Sequence, residues 1–320
     1  MKTYIATFVP GCQDIVLRQL KKFPKSLLDI SYGDDSLVSF NSDFPVEKVI
    51  EFRFFNNTFL LIKEIDDIVK PARLDLSFLS DYLRGGTFRI VSSREGEPVK
   101  TDTVLLKNLA GAISSQLGVK QTSHRPKNEF WLLERRGGRS FLAFRLARPK
   151  HKRQKRPAGE LRPELANILL LVAGARPKDH LLDPFAGYGS IVREAEQGFG
   201  VKAALAIDVN LALVKKLQQE GLMAKVGNTS RLNLADGSID RIVTDPPWGN
   251  YNGMPSGDLK ALYQDFLRET QRVLKPGGVA VTLSGNTGLD GLIRGSELKL
   301  LKNIPILVSG KKATIFKLQK

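Results

Sequence analysis

Leu181-Leu182-Asp183-Pro184-Phe185-Ala186-Gly187-Tyr188-Gly189-Ser190 is the stretch on which the fold turns. An apolar run ends in a carboxylate and enters a turn holding two glycines. Gly187 and Gly189 let the backbone bend sharply and approach a ligand closely. A helix is predicted from Ile191 to about Phe199. Ala204-Leu205-Ala206-Ile207-Asp208 follows as a second strand, also ending in a carboxylate, and then a helix from Asn210 to Gly221. Asp208 falls where a mononucleotide-binding βαβ unit places the acid that holds a ribose diol. A third strand, Ala224-Lys225-Val226, ends at Gly227-Asn228. The order strand, helix, strand, helix, strand predicts a doubly wound, mostly parallel sheet with its ligand along the carboxyl edge.

A fourth strand, Arg241-Ile242-Val243-Thr244, runs into Asp245-Pro246-Pro247-Trp248-Gly249. The two prolines fix φ and remove donors, which leaves a stiff loop rich in acceptors. Such a loop suits an exocyclic amine on a planar base, with the Trp248 ring stacked on the base face. Asp-Pro-Pro also occurs in ordinary turns, so the tetrapeptide gains its meaning from the strands upstream. The glycine turn is G-x-G rather than G-x-G-x-x-G and is preceded by Asp183-Pro184, which argues against a nicotinamide dinucleotide.

Asp183 to Ser190 resembles motif I of the S-adenosylmethionine-dependent methyltransferases, and Asp245 to Trp248 resembles their amine-methylating motif. The resemblance implies S-adenosylmethionine as cofactor, held by Asp183, Phe185, Gly187, Tyr188, Gly189, Ser190, Asp208, Val209, Asn228 and Thr229. Asp245, Pro246 and Trp248 are then the catalytic candidates. Two positions depart from the family pattern. Asn228 stands where Asp is usual, and Tyr188 where Ser or Thr is common; both bear on cofactor affinity rather than on reaction class.

Upstream, residues 1 to about 65 read strand, helix, strand, strand, helix, strand, the βαββαβ order of a ferredoxin-like unit. Residues 74 to about 146 read helix (Asp75–Tyr82), strand, helix (Asp102–Leu117) and a hairpin around Gly137-Gly138, with Gly118–Asn128 irregular. This half resembles that of THUMP-domain RNA methyltransferases. Thr7-Phe8-Val9-Pro10-Gly11-Cys12-Gln13-Asp14 is similar to their opening segment. Arg53-Phe54-Phe55 with Thr58 resembles the last strand region of their ferredoxin-like domain, and Phe88-Arg89-Ile90-Val91 with Arg94, Pro126 and Phe130 resembles the THUMP core. The expected domains are 1–70 ferredoxin-like, 71–147 THUMP, 148–162 a basic linker and 163–320 a Rossmann-like methyltransferase domain closed by an antiparallel hairpin.

Charge supports a polyanionic partner. The chain of 320 residues has a net charge of +16. Residues 1–156 hold 28 Lys/Arg against 17 Asp/Glu, while residues 157–320 hold 21 against 16. The excess therefore sits outside the methyltransferase half. Arg145, Arg148, Lys150, Lys152, Arg153, Lys155 and Arg156 form a run with no acid between them. Such a run is commonly a solvated linker. Its place between the two halves favours contact with substrate phosphates instead, and Arg148, Lys150, Lys152, Arg153, Lys155 and Arg156 are the RNA-binding candidates. The single cysteine, Cys12, is expected to be half-buried on a helix; with three scattered histidines it suggests neither disulfide nor metal site. Met1 to Ile5 lacks a signal-peptide apolar run, and no segment is long enough to span a bilayer. A cytoplasmic monomer acting on tRNA, without membrane or metal, is expected.

The family reading implies transfer of a methyl group to N2 of guanosine. Three alternatives remain open on sequence alone: an N6-adenine methyltransferase on RNA or DNA, a guanosine-N2 enzyme acting on rRNA, and a non-catalytic RNA-binding relative.

Overall fold

The computed structural model describes residues 1–65, 74–146, 157, 159–249, 256–285 and 288–320. The chain divides into two compact units, Met1–Phe8 with Arg18–His151, and Val9–Leu17 with Lys152–Lys320.

The first unit is built on a nine-stranded sheet. The opening stretch of the chain runs β1 (Lys2–Thr7), α1 (Gln13–Leu20, of which Gln13–Leu17 count with the second unit), β2 (Leu28–Gly33), β3 (Leu37–Ser42), α2 (Val46–Ile50) and β4 (Asn57–Ile65). The strands lie in the order β2-β3-β1-β4, every pair antiparallel, which is the ferredoxin-like arrangement. The sheet continues with β5 (Thr87–Arg94), β6 (Glu97–Pro98), α3 (Thr103–Leu117), β7 (Lys120–Gln121), β8 (Asn128–Glu134) and β9 (Ser140–Leu146). β4 pairs antiparallel with β9, from Thr58 opposite Leu146 to Ile65 opposite Ser140. One sheet therefore spans both halves. Two local expectations differ. Ser77–Tyr82 is a 3-10 helix rather than an α-helix. Lys120–Gln121, within the stretch expected to be irregular, adds a short parallel strand beside Thr87 and Phe88. A buried cation ties the turns together: Arg135, after β8, donates to both oxygens of Asp34 (2.8 and 2.7 Å) and to the Ser36 hydroxyl (2.7 Å) in the β2–β3 turn. Cys12 is fully buried just before α1, not half-buried within a helix, and burial pushes its thiol up to about 12.

The second unit is the doubly wound sheet. Its elements are α4 (Pro163–Ala173), β10 (His180–Asp183), α5 (Ser190–Phe199), β11 (Ala203–Asp208), α6 (Leu211–Gln219), β12 (Met223–Val226), β13 (Ile239–Thr244), α7 (Ser256–Val273), β14 (Leu274–Ser284), α8 (Gly288–Arg294), β15 (Lys299–Val308) and β16 (Lys311–Gln319). Pro163 opens α4 at a position whose N–H has no helical partner to lose, and Gly174 closes it in the left-handed region. The strand order is β12-β11-β10-β13-β14-β16-β15, parallel up to β14 and antiparallel at β16 and β15. The Rossmann-like fold with its closing hairpin is thus present. α7 and α8 bury Leu259, Tyr263, Phe266, Leu267, Leu289 and Ile293 in one cluster with Leu182, Leu205, Ile242 and Ala280 of the sheet. α4 packs on α5, β13 and β14. β14 begins at Leu274 and runs through Pro276-Gly277-Gly278, residues that commonly end a regular element. It tolerates the proline because its register against β13 breaks there: Leu274 faces Ile239, and regular pairing resumes only at Val279 opposite Arg241.

Candidate active site

The chain passes from β10 out to β11 and β12, then returns to β13 on the other side of β10. In a doubly wound sheet such a reversal leaves a crevice at the carboxyl ends of the two central strands. Here those strand ends carry Asp183 and, just past Thr244, Asp245.

Asp183 is buried. Its Oδ1 accepts from the Thr244 hydroxyl (2.7 Å) and from the Phe185 N–H (3.2 Å). Burial pushes its carboxyl up to about 7, and the charges of Asp245 and Asp208 add to the rise. Asp208 ends β11. Its Oδ2 accepts from the Gly187 N–H (2.7 Å) and its Oδ1 from the Asn210 N–H (2.8 Å). These bonds fasten the glycine turn to the second strand, as does Ala186 N–H on the Ile207 carbonyl at 3.0 Å. Gly189 caps α5 at φ +76°, and a Cβ there would sit 2.5 Å from a Leu217 methyl. Glycine is needed at 189 on both counts. Gly227 donates to the Asp208 carbonyl (3.1 Å), which brings Asn228 and the buried Thr229 beside Asp208.

Three of the cofactor candidates have other engagements. Phe185 packs edge-on against Phe266 of α7, ring centroids 5.5 Å apart. Tyr188 lies with its ring 6.0 Å from the Lys216 ammonium. Asn228 accepts the Ser230 N–H through Oδ1 at 2.9 Å, so what it has left to offer a ligand is chiefly a donor. Val209 is 69% exposed beside Asp208, and Ser190 is buried in the first turn of α5. Arg148, Lys150, Lys152, Arg153, Lys155 and Arg156 lie outside the described residues.

The tetrapeptide is braced on two sides. Trp248 Nε1–H donates to Asp245 Oδ1 at 2.8 Å. Its indole lies so close to Gly285, at the end of β14, that a Cβ there would overlap the ring. Tyr263 of α7, buried at 2% exposure, donates its hydroxyl to the Pro247 carbonyl at 2.5 Å. The Ser284 side chain hydrogen-bonds the same hydroxyl. Burial pushes the Asp245 carboxyl up to about 7, against the pull of the indole N–H. Burial also raises the Tyr263 phenol, and the charge of Asp245 adds to it. Asp245 Oδ2 and the Pro246 carbonyl have no partner among the described residues. Thr244, Tyr263, Ser284 and Gly285 carried no signal in the sequence. Tyr263 reads there as one more apolar position of an amphipathic helix.

A sulfonium cofactor fits this edge. Its positive charge suits a strand edge that carries the acids Asp183, Asp208 and Asp245, and the glycine turn, fastened to Asp208, lets a ligand approach closely. Among the described residues there is no group of three or more His, Cys, Asp and Glu able to hold a metal ion, and no helix long and apolar enough to cross a membrane.

Comparison with known proteins bears on the family and the fold. The model of the RMKL-like methyltransferase domain matches residues 150–204 and 212–310. Fold and edge together define an S-adenosylmethionine-dependent, Rossmann-like methyltransferase. The chain is 30% identical over 298 residues to the tRNA (guanine(6)-N2)-methyltransferase of Thermus thermophilus, covering 87% of this chain and 88% of that one. It is 30% identical over 194 residues to the tRNA (guanine(10)-N2)-dimethyltransferase of Methanothermobacter thermautotrophicus, covering 56% and 57%. The crystal structure of TrmN from Thermus thermophilus superposes with a TM-score of 0.76 at 25% identity, over 100% of both chains. The chain belongs to the tRNA guanosine-N2 methyltransferase family.

Proposed function

We propose that this protein transfers a methyl group to the exocyclic N2 of guanosine in tRNA, acting as a cytoplasmic monomer. Asp245, just past the end of β13 with one oxygen unengaged among the described residues, carries the reading. An ionised carboxylate only accepts hydrogen bonds. The Watson–Crick edge of guanine presents N1–H and N2–H as adjacent donors; that of adenine sets an N6–H donor beside an acceptor. Asp245 therefore complements guanine better. The relatives, named for guanine-N2 methylation of tRNA, favour the same base and substrate.

An exocyclic base amine is a weak nucleophile, because its lone pair is delocalised into the ring. Bonds from the amine to Asp245 Oδ2 and to the Pro246 carbonyl favour a pyramidal nitrogen with its lone pair free. Trp248 supplies a flat face for the base, a contact worth about 1–3 kcal/mol. A base inside a helix must first be turned out of the stack or be unpaired already. S-adenosylmethionine contributes the electrophile, the methyl carbon on its sulfonium. On the protein's side, Asp208 meets the ribose hydroxyls, the turn Gly187-Tyr188-Gly189-Ser190 meets the methionine portion, and Asn228 with Thr229 lies toward the adenine. Asp183, Phe185 and Val209 shape the walls. The protein's task is alignment and exclusion of water. Asp245 also receives the proton that the methylated amine sheds.

Purified protein, unmodified tRNA and S-adenosylmethionine decide the matter by nucleoside mass spectrometry. N2-methylguanosine is the expected product. N6-methyladenosine with guanosine untouched would overturn the proposal. Methylation of rRNA with tRNA untouched would overturn its substrate.

A further inference from the structure

Asp245 and the carbonyls of Pro246 and Pro247 stand in a loop that no regular backbone ladder holds. Two side chains hold it instead. The indole N–H of Trp248 occupies one oxygen of Asp245 and leaves the other facing away from that bond. The Tyr263 hydroxyl occupies the Pro247 carbonyl, and Ser284 in turn anchors that hydroxyl to the end of β14. The indole is wedged against Gly285, also at the end of β14. Both braces thus run from the loop to the same strand end, one through a ring and one through a hydroxyl. Among the described residues, the acceptors they leave unengaged are Asp245 Oδ2 and the Pro246 carbonyl.

We infer that Trp248 and Tyr263 are positioning residues for methyl transfer: through the indole N–H and the phenol hydroxyl they present Asp245 Oδ2 and the Pro246 carbonyl together to the target amine. The inference rests on the assignment of Asp245 and Pro246 to that amine. It adds to Trp248 a task that a flat ring alone cannot perform. A carboxylate on a single Cα–Cβ stem rotates unless a donor fixes it, and rotation would carry Oδ2 out of register with the Pro246 carbonyl. Misplacement of a reacting group by about 1 Å can cost on the order of 100-fold in rate.

The full chain is compared with Trp248→Phe and Tyr263→Phe. Each variant keeps an aromatic ring and loses one donor. The expected result is a kcat more than tenfold lower for each, with KM for tRNA and the affinity for S-adenosylhomocysteine within about threefold of the parent. Retained S-adenosylhomocysteine binding shows that the edge is folded in each variant. Asp245→Ala serves as the reference and is expected to be inactive. If Asp245→Ala is inactive while both Phe variants turn over near the parent rate, the braces are dispensable and the inference fails alone. If Asp245→Ala retains turnover, the assignment of the amine site fails and the inference with it. Loss of S-adenosylhomocysteine affinity in parallel with kcat in both Phe variants would assign the two side chains to general stability, which also overturns it.

Discussion

A carboxyl that holds its proton up to about pH 7 makes two opposite demands on this enzyme, and Asp245 illustrates both. Only the ionised form accepts from an amine without offering a competing proton. Transfer is therefore expected to rise with pH through a limb near 7, in initial rates taken from about pH 5.5 to about 8.5. Asp245→Asn, neutral throughout, should lack that limb. Stability runs the other way. Asp183 and Asp245 are both raised above their unfolded values, so the folded chain keeps protons that the unfolded chain releases. Their contribution is greatest below about pH 4 and is lost as pH rises toward about 7. Melting temperatures of the parent and Asp183→Asn should accordingly shift in favour of the variant between about pH 4 and about pH 7. A gap that is constant with pH would show that Asp183 is ionised throughout. Asp208→Ala should weaken cofactor binding before it touches transfer, because it also strips the Gly187 and Asn210 N–H groups of their acceptor. A loss of roughly 1.5–3 kcal/mol in calorimetric titration is expected. These acids were legible in the sequence because each one ends a strand, a position that a local pattern gives. Tyr263 was not, since its partner lies 16 residues away across the fold.

The glycine turn and α5 form the element on which the cofactor edge depends. Gly189→Ala would place a methyl group against Leu217 of α6 and hold a left-handed φ with a side chain attached. The conformational cost alone is about 1–2 kcal/mol, and the displaced Leu217 adds to it. The expected outcome is a melting temperature several degrees lower together with weaker S-adenosylhomocysteine binding. Gly187→Ala has open space around the added Cβ, so only the conformational part applies and the loss should be smaller. If the two variants melt alike, the contact with Leu217 is not what requires glycine at 189. From β10 to β13 the strands and helices were legible nearly to the residue, because hydrophobic runs alternate with polar turns along that stretch. The exceptions have a physical source. β14 continues through Pro276-Gly277-Gly278 only because its pairing with β13 breaks there, a fact set by a neighbouring strand and invisible along the chain. α8 is a short helix that owes its place to Leu289 and Ile293 entering the α7 cluster.

At the scale of the molecule, charge and connectivity set expectations of their own. The excess of Lys and Arg in residues 1–156 predicts binding to tRNA through phosphates, with affinity falling steeply as salt rises. Neutralising Lys152, Arg153, Lys155 and Arg156 together should reduce the log–log salt slope by up to about 4 and leave the modified base unchanged. An unaltered slope would make the run a plain linker. Within the first unit, Arg135→Met would leave Asp34, half-buried in the β2–β3 turn, without its cationic partner. Losing hydrogen bonds to a half-buried charged group costs about 1.5–3 kcal/mol, to be read from denaturant unfolding. The bond with Arg135 holds the Asp34 carboxyl below its usual range, so the parent's advantage is present near neutrality and is lost as acid protonates Asp34. That both halves of this unit share one sheet was not legible, because the pairing of β4 with β9 joins segments far apart in sequence.

The same pairing dictates an order of events on the ribosome. β4 is complete once Ile65 is made, yet its outer edge has no partner until Leu146 has emerged. At about 5–20 residues per second the nascent chain carries an open strand edge for roughly 4–16 seconds. During that interval it is a ready site for chaperone capture, or for pairing with another nascent chain on the same message.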